Sequence, residues 1–216
     1  MTPGVRKFAL TAHIVLSVGW LGAVVAYLAL AIAGLTGDSP PMVRAAYLAM
    51  EFIGWYVIVP FSLATVLAGL VEALGTPWGL FRHWWVLLKF LLTTGATIVL
   101  LRHMPTVTDM AGMAAQAMFS AADLRALRIQ LVVHAAGGLL VLLAATALSV
   151  YKPWGMTPYG RRTQPERRPP SEPVALPSRG SAATTPRWVY AVGVHVIGLA
   201  LLFVVMHLTG GGLRIH

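Results

Sequence analysis

The chain has 216 residues, of which 57% are hydrophobic and 11% charged, with a mean hydropathy of +0.74. Soluble domains carry about 25% charged residues, so a water-soluble globular class is excluded. The formal net charge of +9 does not mark a nucleic-acid binder, because much of it sits in one segment, Lys152 to Arg187, between two apolar blocks. Cysteine is absent, which excludes disulfides, thiolate metal sites and cysteine nucleophiles.

The apolar residues fall into continuous blocks long enough to cross about 30 Å of hydrocarbon, which takes roughly 20 helical residues. They lack the alternation of barrel strands, so an all-α polytopic membrane bundle is expected. Block one runs from about Phe8 to Leu35, behind Arg6 and Lys7. It is longer than the core of a signal peptide and reads as an uncleaved first helix. After the turn Thr36 to Pro41, block two runs from about Ala45 to Leu74, with Pro60 inside it as an expected kink. The turn Gly75-Thr76-Pro77-Trp78-Gly79 leads to block three, about Trp84 to Met104. The stretch from Pro105 to Arg128 is too polar to span and predicts an interfacial helix at about 106–120, with a new helix start at Ser120 or Asp123. Block four runs from about Ile129 to Tyr151. The 152–187 segment holds eight of the fourteen prolines and seven of the sixteen Lys and Arg. That composition predicts a basic cytoplasmic loop, disordered in its second half. Block five, about Trp188 to Thr209, and a short tail complete the expectation. It is a four-span bundle over 1–151, the loop 152–187, and a fifth transmembrane helix with its tail over 188–216.

Five spans put Arg6, Lys7, Arg82 and the Arg-rich loop on one side. The positive-inside bias then predicts a plasma-membrane protein of bacterial type, with its N-terminus cytoplasmic and its C-terminus extracytoplasmic. The basic loop also suits anionic lipid. Homo- or hetero-oligomers are both compatible with the sequence.

Ionisable residues inside spans are costly and face a bundle interior or a cavity. Block two carries Glu51, Trp55, Ser62, Thr65, Gly69 and Glu72 at spacings that are sums of three and four, so one face is expected to hold them all. Block three carries Arg82, Lys89, Thr93 and His103 on a similar stripe. Glu72 and Lys89 lie at comparable depth and read either as a structural ion pair or as part of a proton or ion path.

Block one carries His13, Trp20 and Tyr27 at sevenfold spacing, with Gly19 and Gly22 offering close helix approach. Axial haem ligation by two histidines needs both at one depth on facing helices. His13 with His195 meets the depth condition on the inner side. His134 with His103 or His207 meets it on the outer side. His13, His134 and His195 are therefore candidate haem b ligands, against the alternative of interhelical hydrogen bonding. His103, Met104, Met110 and Met113, with Met118 a turn on, offer imidazole and thioether ligands suited to Cu(I). The same methionines also read as the apolar face of the interfacial helix.

The pattern from Thr11-Ala12-His13 through Gly19-Trp20-Leu21-Gly22 resembles the first helix of small bacterial membrane proteins that include the copper-resistance D family and relatives of the HemJ-type protoporphyrinogen oxidase. The stretches Gly54-Trp55 through Gly75-Thr76-Pro77-Trp78-Gly79-Leu80-Phe81-Arg82-His83 and Lys152-Pro153-Trp154-Gly155 resemble actinobacterial membrane proteins of the DUF2269 type. The resemblance covers roughly Thr11 to Arg162 and implies a haem-ligand histidine at His13; the other motifs of the haem proteins are not evident. No nucleotide loop, metalloprotease motif or serine triad is present, and no reaction is named by the sequence. Three functions remain open: a redox-linked haem protein, a small-solute or metal-ion transport component, and an accessory subunit docking through its basic loop.

Overall fold

A computed structural model describes residues 2–75, 80–116, 123–151 and 157–162, together with Gly198, Leu202 and Val205. Helix α1 spans Pro3–Thr36. The second long helix is built of α2 (Pro40–Ile53), a π segment (Gly54–Ile58) and α3 (Val59–Gly75). Helix α4 spans Trp84–Ala115, α5 Asp123–Tyr151, and the short α6 Pro158–Arg162. Among the described residues, four helices are long and apolar enough to cross a membrane. The expected fifth span, including His195 and His207, and most of the 152–187 loop lie outside the described residues.

Helix α1 packs on α2, α3 and α5, and α4 closes the bundle against the same three partners. Two glycines set the closest approaches of α1. Gly19 receives the ring of Phe61 where a Cβ would stand, and a Cβ on Gly34 would lie 2.6 Å from the Tyr47 ring. Gly22, the other expected contact, has nothing within 4 Å of a built Cβ.

Pro60 does not simply kink its helix. Its missing N–H leaves a gap in the ladder, and the preceding turn widens to the π form, with the Val59 N–H bonded to the Gly54 carbonyl. The extra residue rotates everything after it. The single polar face expected from Glu51 to Glu72 is therefore broken in two. Trp55 donates to the Thr108 hydroxyl of α4 at 3.1 Å, whereas Thr65, Gly69 and Glu72 face a cavity.

Helix α4 differs from expectation. It does not stop at Met104 but runs through Pro105 to Ala115, so 106–115 is the end of one long helix and not a separate interfacial one. Val107, Met110, Ala111 and Ala114, spaced at three and four, are buried. Asp109 and Gln116 are exposed. The polar residues that argued against burial occupy the outer face, while the apolar face packs on α2. At 1.5 Å per residue its 32 residues reach about 48 Å, longer than the roughly 30 Å of a hydrocarbon layer.

The buried side chains form two clusters. The larger joins Trp20, Tyr27, Tyr47, Met50, Met104 and Leu131 across all the long helices. The smaller contains Leu92, Val141, Ala144 and Leu148, from α4 and α5 alone. No residue of α1 before Trp20 is buried.

Candidate functional site

Where α1 leaves the core, the bundle encloses a cavity of about 830 Å³ between α1, α3, α4 and α5. That volume falls within the range of small-molecule and cofactor pockets, roughly 300–1,000 Å³. Its walls are mostly apolar, and its polar side chains are concentrated on facing helices: His13, Ser17, Thr65, Glu72, Lys89 and Thr93. Arg6 and Lys7 line it from the exposed start of α1.

Several cavity hydroxyls are satisfied by their own helices. Thr93 donates to the Lys89 carbonyl at 3.0 Å, Thr146 to Leu142 at 2.9 Å and Ser149 to Ala145 at 3.0 Å. His13 Nδ1, Thr65 Oγ1 and Glu72 Oε1 are different: each is buried without a hydrogen-bond partner. A buried polar atom left without a partner costs about 1–3 kcal/mol, so these three are the strained polar positions of the site.

The His13 imidazole faces the backbone carbonyl of Thr65, and its Cε1 lies 3.2 Å from where a Cβ on Gly69 would be. Gly69 is thus the notch that seats the ring. Lys89 interacts electrostatically with both His13 and Glu72. The structure therefore brings His13, marked separately in the sequence, to the Glu72 and Lys89 pair expected at one depth. Glu51 does not line the cavity.

The outer histidines form a second constellation. His103 and His134 stack with ring centroids 3.9 Å apart and planes 2° from parallel, and His134 Nδ1 lies 2.8 Å from the Gln130 carbonyl oxygen. Imidazole lone pairs lie in the ring plane, so two parallel stacked rings do not aim a nitrogen each at one iron between them. The two histidines share a depth, as expected, but their arrangement does not fit axial ligation of one haem by both.

The proposed copper ligands are likewise separated by role. Met104 and Met110 are fully buried in the large cluster, with the Met104 methyl against Gly54, and Met113 packs partly buried at its edge. Met118 lies outside the described residues. Among the described residues no group of three or more His, Cys, Asp or Glu is placed to hold a metal.

Trp85, Thr146 and Ser149 also line the cavity and were not singled out in the sequence. The threefold spacing of Thr146 and Ser149 in an apolar helix was the available signal. No protein-family model, curated protein or solved structure matches the chain.

Proposed function

We propose that this chain is a membrane-embedded haem b protein in which His13 is the protein ligand. The observation that carries this reading is the cavity of about 830 Å³ that His13 lines, its ring seated against Gly69. The surrounding residues suit the group. Trp20, Trp85 and Phe90 supply flat apolar wall, and Arg6 and Lys7 offer cations to propionates at the exposed end. Bound there, haem would supply a one-electron redox centre whose properties depend on its ligand and on burial.

The chain's own contributions are distinct. The Thr65 carbonyl faces His13 and orients the ring, as outer-shell acceptors do for ligating histidines. The apolar walls exclude water. Lys89 balances the carboxyl group of Glu72. His195 is the second ligand to test, since its sequence position matches the depth of His13.

The test is an absorption spectrum of the chain purified from haem-replete cells. A Soret band that His13→Ala removes and added imidazole restores is the expected result. A colourless preparation that takes up no added haemin rejects the reading.

A second reading rests on Glu72, whose Oε1 has no hydrogen-bond partner in the same cavity: transfer of a proton or small ion. Uptake by proteoliposomes that Glu72→Gln abolishes, without any haem bound, would favour it.

A further inference from the structure

The lower half of α1 carries an unusual combination of properties. Leu10, Ile14 and Val18 are 51%, 51% and 63% exposed, yet all three line the cavity. They lie four residues apart, on one face of the helix. Across from them, Val150 near the end of α5 is 69% exposed and lines the same cavity. A side chain that borders an internal space and is also open to the outside belongs to the wall of an opening.

The packing explains why the opening is there. From Trp20 onward α1 is held in the large cluster with Leu131, Ala135 and Leu142 of α5. On a neighbouring face of α5, Val141, Ala144 and Leu148 meet Leu92 of α4, and α1 contributes nothing to this second cluster. Below Trp20 the cavity lies between the two helices, bordered by Leu10, Ile14 and Val18 on α1 and by Ala145, Ser149 and Val150 on α5. The residues that flank the gap, Leu10, Ile14, Val18 and Val150, are apolar side chains of helices long and apolar enough to cross a membrane.

The charge inside is not uniform. Lys89 interacts electrostatically with Glu72, so that pair is close to neutral overall. The cavity lining carries three Lys or Arg against one Glu, which leaves Arg6 and Lys7, at the exposed start of α1, as its excess cations.

We infer that the cavity opens sideways into the lipid leaflet between α1 and α5 and takes up a long-chain carboxylate amphiphile, its head group held at Arg6 and Lys7 and its chain entering past Leu10, Ile14 and Val18. The apolar walls match the chain, and the excess cation at the exposed end matches the head group. Neutral lipids would gain only the apolar part of this match. The inference rests on the cavity being a binding pocket and does not require that its other occupant be haem.

The experiment uses the full chain in phosphatidylcholine nanodiscs without added haem. A long-chain fatty acid carrying a diazirine is photolysed in the membrane, and the adducts are mapped by peptide mass spectrometry. The inference expects adducts on α1 between Arg6 and Leu21 and on α5 near Val150 that fall several-fold with excess oleate. Adducts at Phe52 and Leu67, which are exposed and do not line the cavity, should be insensitive to oleate. The double variant Arg6→Gln, Lys7→Gln should weaken competition by oleate several-fold and leave competition by oleyl alcohol unchanged. The exposed Ile14→Trp substitution, placed at the opening, should suppress the competed adducts.

Labelling of the cavity residues that oleate does not compete, or equal competition by the alcohol, overturns the proposal. So does the absence of cavity labelling, the result expected if residues 188–209 or a second copy of the chain fill the gap. Adding haemin separates the two readings. Competed labelling without a Soret band retains this inference and rejects haem binding; a Soret band without competed labelling does the reverse.

Discussion

His13 on α1 and Gly69 on α3 are fitted to one another: a methyl group on Gly69 would come within 3.2 Å of the imidazole Cε1. The contact fixes where the imidazole sits, and it makes Gly69 a sensitive position for anything that binds His13. Alanine there demands a shift of a few tenths of an ångström, whereas leucine fills the notch and displaces the ring. Gly69→Leu is expected to reduce haemin binding at least tenfold, about 1.4 kcal/mol, with the chain still extractable as a folded helical protein. Titration with haemin, followed by absorbance beside circular dichroism, checks this. Unchanged affinity would mean that the ring position does not matter.

The outer pair should behave oppositely. His103 and His134 stack on each other, far along their helices from the cavity lining. His103→Ala or His134→Ala should leave the Soret band intact and lower stability by about 0.5–1.5 kcal/mol, the scale of a ring–ring contact. Loss of the Soret band in either variant, with His13 in place, would move the haem site to the outer half.

The two glycine notches that hold the core are predicted to differ in cost. At Gly34 an added Cβ meets the rigid ring of Tyr47 at 2.6 Å; at Gly54 it meets the flexible end of Met104 at 2.7 Å. Overpacking costs about 1–3 kcal/mol. Gly34→Ala should fall at the upper end and Gly54→Ala at the lower. Met104→Leu, which shortens the side chain's reach, should recover part of the second loss. Unfolding in mixed micelles gives the order directly.

Trp55 and Thr108 provide a test of the π segment. Their hydrogen bond at 3.1 Å exists because the widened turn aims Trp55 at α4. Interhelical bonds in membranes are worth about 0.6 kcal/mol on average. Trp55→Phe and Thr108→Val should show a coupling of that size in a double-mutant cycle. A coupling of zero would mean that the contact contributes nothing to helix pairing.

Much of the bundle was legible in the sequence. The apolar blocks gave the positions of the first four long helices, because span length is set by the thickness of hydrocarbon and each apolar residue adds to the same total. The polar stripe Thr65, Gly69 and Glu72 was legible for the same reason: period and burial agree. The extent of α4 was not. Asp109, with Gln116 just beyond, lowers the mean hydropathy around 106–115, and an average over a window cannot tell a polar outer face from an interfacial helix when the inner face is packed on α2. The break in the Glu51–Glu72 stripe was also hidden, since helical periodicity assumes a constant turn and Pro60 changes it.

The sequence by itself determined that the chain is a helical membrane protein, which residues could be buried at high cost, and that His13, Glu72 and Lys89 needed an interior to face. Those are properties of single helices, fixed by composition and period. Only the tertiary structure decided that these three residues share one cavity, that His103 and His134 stack on each other, and that Leu10, Ile14 and Val18 border that cavity while exposed. Each depends on how helices are rotated and splayed against one another, which is set by side-chain shapes at a few contacts such as Gly19 with Phe61 and Gly34 with Tyr47, and no pattern along a single helix contains it.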